Sequence, residues 1–98
     1  MANKHERVVD LQEAPNDFLS RAYRSIQRLG WNIRSTNPQG IEASVPTSIW
    51  SWGERISVTV QPDGRGLVRS ASALPTQFID WGRNRKNVEL LLKTMDNI

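Results

Sequence analysis

Two turn signals, Asn37-Pro38-Gln39-Gly40 and Pro62-Asp63-Gly64-Arg65-Gly66, constrain this chain more than any other feature. Each separates two runs of period-two alternation, the mark of strands that fold back on themselves. The first joins Trp31–Ser35 to Ile41–Val45, and the second joins Glu54–Gln61 to Leu67–Ala73. Two antiparallel hairpins are expected, with Pro46 closing the first. In the last strand Val68, Ser70 and Ser72 alternate with Leu67, Arg69, Ala71 and Ala73. The serine face is expected to point inward, because the opposite choice buries Arg69 at a cost of several kcal/mol.

Helical periodicity brackets the hairpins. Pro15 suits a first helical position and Asp17 the first turn, Phe18, Ala22, Ile26 and Leu29 recur at helical spacing, and Gly30 is the expected stop. Leu19 and Tyr23 widen that stripe, while Arg21, Arg24 and Arg28 fall on another face. A final helix is expected after Asp80 as N-cap, with Trp81, Val88, Leu91, Leu92 and Met95 as its apolar stripe. Trp81 is thereby read as a core residue. Asn84, on the same stripe, is read as a buried structural amide bonded to loop backbone. Arg7–Leu11 suggests an edge strand. The expectation is a single α+β domain over residues 1–98. It has an antiparallel sheet of four or five strands, with an N-terminal and a C-terminal helix packed on one face. Residues 1–14 are expected to be partly flexible, His5 among them.

Several chemistries lack their parts. The chain has no cysteine, so disulfides and thiolate chemistry are excluded, and His5 is its single histidine, so histidine triads and histidine metal sites are not expected. No glycine-rich phosphate loop occurs. No cofactor and no metal are expected, and enzymatic activity ranks behind binding. The charged start and the short aliphatic run Leu90–Leu92 give no signal peptide or membrane span, so a cytoplasmic setting is expected. The formal charge of +3 is mild, and local clustering of charge therefore matters more than the total.

The segment Ser48–Val60 carries the densest aromatic content. Read as one strand, it puts Trp50, Trp52, Ile56, Val58 and Val60 on one face, with Glu54 as the polar exception beside a bulge-forming Gly53. The small Ser70 and Ser72 either let a helix approach closely or line a shallow pocket. Trp50, Trp52, Glu54, Ser70, Ser72 and Gln77 form the candidate set for binding a small apolar ligand or a protein partner, with a homodimer as one form of that contact. Arg83, Arg85 and Lys86 crowd the positive end of the final helix, which hints at an anionic partner. The alternative function is a nucleic-acid-binding domain that uses these residues together with Arg21, Arg24 and Arg28 against phosphates.

Arg69-Ser70-Ala71-Ser72, followed by Asp80-Trp81-Gly82-Arg83-Asn84-Arg85-Lys86-Asn87-Val88, resembles the C-terminal signature of domain-of-unknown-function family 1499 or a sister family. That family looks like a strand ending in Arg-Ser-x-Ser, then Asp-x-Gly-x-Asn-Arg opening a helix. The Trp-Ser-Trp-Gly-Glu segment and the interposed Leu-Pro-Thr-Gln depart from the pattern. The resemblance implies a fold and a soluble bacterial or plastid setting, and it carries over no catalytic residue.

Overall fold

The computed structural model describes residues 4–46, 53–73 and 82–98. In chain order these form β1 (Lys4–Val9), α1 (Pro15–Arg28), β2 (Asn32–Asn37), β3 (Gly40–Val45), β4 (Glu54–Val60), β5 (Gly66–Ser72) and α2 (Arg83–Asp96). The strands make one antiparallel sheet in the order β1-β5-β4-β3-β2. This is the α+β architecture expected from the pattern, with the fifth strand present.

Both hairpins close at their turn signals. The Asn37 Oδ1 atom accepts from the Gln39 and Gly40 amides at 2.8 and 3.0 Å, and Asp63 Oδ1 accepts from the Arg65 amide at 3.0 Å. Side chains here mimic the backbone turn. The pairing then fixes which residues share a face. Ile41, Val58 and Val68 lie in one cross-strand row, Ala43, Ile56 and Ser70 in the next, and Val45, Glu54 and Ser72 in the third. Nearly all of these are buried, so the serine face of β5 does point inward.

Both helices cover that face. α1 packs on β2, β3 and β4, α2 packs on β5 and β1, and the helices touch each other. Phe18, Leu19, Ala22 and Ile26 from α1 meet Val88, Leu91 and Met95 from α2 over the aliphatic rows of the sheet. Burying each large side chain contributes roughly 1.5–3 kcal/mol. Phe18 sits directly over β5: a Cβ on Gly66 would lie 2.7 Å from its ring, so the strand begins with the one residue that admits the ring. α1 ends as expected, with Gly30 left-handed at φ 77°. Arg21, on the arginine face of α1, reaches across to the other helix. It pairs with Glu13 and donates to the Met95 carbonyl at 2.7 Å, tying α1 to the end of α2.

Two boundaries differ from the sequence reading. β1 starts at Lys4, before the apolar run, and His5 lies in the sheet opposite Ser70. Backbone pairing with β5 supplies what side-chain pattern does not. β4, by contrast, begins at Glu54 as the hairpin reading has it, directly after Gly53 at φ 95°. α2 begins at Arg83 with Gly82 at φ 74° as its N-cap, whereas the expected cap Asp80 and the stripe residue Trp81 lie outside the described residues. Among the described residues no helix is long and apolar enough to cross a membrane.

Candidate functional site

The third cross-strand row, Val45, Glu54 and Ser72, lies at the end of the sheet where the chain departs at Pro46 and Ala73 and returns at Gly53 and Gly82. A hydrogen bond of 3.0 Å from the Ala73 amide to the Gly53 carbonyl joins two of these junctions directly. α2 starts above the same place. Its first residue, Arg83, and its inward pair Asn84 and Asn87, one helical turn apart, face Glu54, Ser70 and Ser72 of the sheet.

These six side chains form a continuous chain of donors and acceptors. Arg83 Nε donates to both Glu54 oxygens at 3.3 Å, and Asn87 Nδ2 donates to Glu54 Oε1 at 2.9 Å and to Ser70 Oγ at 3.3 Å. Ser70 Oγ in turn donates to Asn84 Oδ1 at 2.7 Å, and Asn84 Nδ2 donates to Ser72 Oγ at 3.2 Å. Each amide is oriented by what it touches: a carboxylate can only accept, so Asn87 must present its nitrogen there. Glu54 is 1% exposed, and Ser70 and Asn84 are fully buried. A buried carboxylate without partners would cost several kcal/mol, and a half-satisfied network is worse than an apolar core. Here the partners are present.

The electrostatics of α2 are explained by the same geometry. Its first turn contains no acidic residue and three cations, the wrong sign for a helix N-terminus. Glu54 supplies the missing negative charge from β4, and its ion pair with Arg83 at 3.3 Å joins strand to helix. The anion suggested by the sequence is thus, for Arg83, a residue of the chain itself. Arg85 pairs with Glu89 one turn along at 3.2 Å, and Lys86 is exposed.

The structure therefore unites Glu54, Ser70, Ser72, Arg83 and Asn84 from the residues singled out, and it separates Arg85 and Lys86 from them. Trp50, Trp52, Gln77 and Trp81 lie outside the described residues, as do Asp80 and the interposed Leu-Pro-Thr-Gln. Asn87 was not anticipated. Its signal was available: it stands three residues after Asn84 and four before Leu91, on the inward stripe of α2. The serines accommodate a closely packed helix whose amides reach them. Chemically, the Ser70 proton is directed to an amide oxygen and not to a base, and the Glu54 lone pairs are occupied by donors. The cluster is built to hold position. Among the described residues no group of three histidine, aspartate or glutamate side chains could hold a metal ion.

No protein-family model matches the sequence, and no curated protein is similar to it.

Proposed function

We propose that the chain is a non-catalytic binding or assembly module whose recognition residues are Trp50 and Trp52. The observation that carries this reading is the buried chain from Arg83 through Glu54, Asn87, Ser70 and Asn84 to Ser72, at the end of the sheet from which residues 47–52 depart. A fully paired cluster under two chain junctions provides the rigid frame on which a binding segment keeps its geometry. Two tryptophans within three residues carry more apolar area than anchoring a short connection requires, since one alone can bury about 150–250 Å². Aromatic anchors of this kind are common at ligand rims and subunit contacts. The partner is a small apolar ligand or a protein surface, a second copy of the chain included. The cytoplasmic setting belongs to the same proposal, on the cysteine-free composition.

Likeness to family 1499 is retained as part of this reading. Ser70, Ser72 and Asn84, which carry the resemblance, are members of one hydrogen-bonded chain, which supports a shared architecture at this end of the domain. The nucleic-acid alternative is weakened by pairing within the chain: Arg21 is held by Glu13, Arg83 by Glu54 and Arg85 by Glu89. Trp50→Ser and Trp52→Ser test the proposal. At least one should change oligomeric mass or ligand retention while leaving the unfolding midpoint nearly unchanged. Loss of several kcal/mol in both, with neither contact altered, would return both residues to the core.

A further inference from the structure

The uncovered face of the sheet carries a second feature that is independent of the tryptophans. Its end row runs Asn32, Ser44, Arg55, Ala71 and Lys4 across all five strands, on the side opposite the helices. Asn32, Ser44 and Arg55 line a cleft of about 340 Å³ together with Arg34. Arg34 sits at a register shift in β2: Ile33 faces Ala43 and Ser35 faces Glu42, so Arg34 has no cross-strand partner. A bulge of this kind re-aims the side chain it frees.

What sets these two arginines apart is that they share a cleft; like Arg7, Arg24 and Arg28, they have no ion-pair partner among the described residues. Arg21, Arg65, Arg69, Arg83 and Arg85 each have a carboxylate partner, whereas among the described residues none pairs with Arg34 or Arg55. Both are exposed at one concavity. Their strands flank β3 and run roughly 9.5 Å apart, twice the usual strand spacing, with Arg55 level with Ser44 and Asn32, and Arg34 further along β2 at the bulge. Like charges facing one cleft without a counter-charge repel, and an oxyanion placed between them removes that cost. Glu54 also borders the cleft, but its carboxylate is turned to the helix side and has no exposed side-chain surface. The competing carboxylate is Glu42, one row further along the same face.

We infer that Arg34 and Arg55, with Asn32 and Ser44, form a binding site for a small anion, a phosphate or carboxylate group. Each guanidinium can present two parallel donors to such a group, and the Asn32 amide and Ser44 hydroxyl add neutral ones. The site goes beyond the tryptophan reading and stands or falls separately from it.

Backbone-amide NMR of the full chain at low salt, titrated in separate arms with inorganic phosphate and with acetate, tests the inference. Saturable shifts centred on Asn32, Arg34, Ser44 and Arg55 are expected in at least one arm, and the responding arm assigns the anion class. Arg34→Gln/Arg55→Gln should weaken binding by at least about tenfold, as loss of charge-assisted contacts implies. Arg24→Gln/Arg28→Gln, which removes the same charge elsewhere, should leave it unchanged, and Glu42→Gln should tighten it. No saturable response at millimolar probe would overturn the site. So would shifts centred on Arg85 and Lys86, or equal weakening by both double variants, which would mark a diffuse response to net charge. Trp50→Ser/Trp52→Ser should bind the probe as the parent does, so failure of the tryptophan proposal does not register in this experiment.

Discussion

At Glu54 a carboxylate with no exposed side-chain surface is held by Arg83, whose own side chain stays 28% exposed. Removing the arginine leaves a buried charge, which typically costs about 3–5 kcal/mol, while neutralising both partners costs much less. Arg83→Met should therefore lower the denaturant midpoint strongly, and adding Glu54→Gln should restore most of the loss. Strictly additive effects in that cycle would contradict the pairing. Asn87→Ala is the second test at this scale. It removes donors from both Glu54 Oε1 and Ser70 Oγ, and leaving buried acceptors unpaired should cost about 1–3 kcal/mol. Of this cluster, sequence pattern revealed the buried Asn84, the inward serines and Glu54 on the apolar face. It did not reveal that they meet, because Glu54 and Asn87 are 33 positions apart and the contact depends on where α2 begins.

Where elements begin depends on glycines that act for different physical reasons. Gly66 opens β5 under the Phe18 ring, and a Cβ there would approach to 2.7 Å. Gly82 precedes α2 at φ 74° with nothing within 4 Å of a built Cβ, so its requirement is conformational, not steric. Gly66→Ala should cost about 1–3 kcal/mol through overpacking and be partly rescued by Phe18→Leu. Gly82→Ala should cost roughly 1–2 kcal/mol through left-handed strain, with Gly82→Asn milder because asparagine tolerates that region. Thermal or denaturant midpoints of the variants distinguish the two causes: asparagine at position 66 should be no milder than alanine. The contrast also explains a misread boundary. Asp80-Trp81 has the composition of a helix start, whereas the N-cap of α2 is Gly82, whose left-handed angle no composition announces.

Across the whole molecule, local signals specified local structure. Both hairpins followed from turn chemistry, and both helices from apolar spacing, since each is decided within a few residues. The pairing of β1 with β5 was much less legible. It joins strands separated by the rest of the sheet, and β1 is largely exposed and charged, so backbone hydrogen bonds rather than alternation define it. The resulting sheet has one face covered by both helices and another carrying Arg34 and Arg55, which have no carboxylate partner among the described residues. At one end, the polar cluster underlies the departure of the tryptophan-bearing segment. The central claim is that this frame presents Trp50 or Trp52 for recognition. The most direct measurement is acrylamide quenching of tryptophan fluorescence in a folded Trp31→Phe/Trp81→Phe variant, at concentrations where the chain is monomeric and ligand-free. Red-shifted emission, quenched nearly as readily as free tryptophan, is predicted for at least one of the two residues. Blue-shifted emission shielded from acrylamide at both positions would contradict the account.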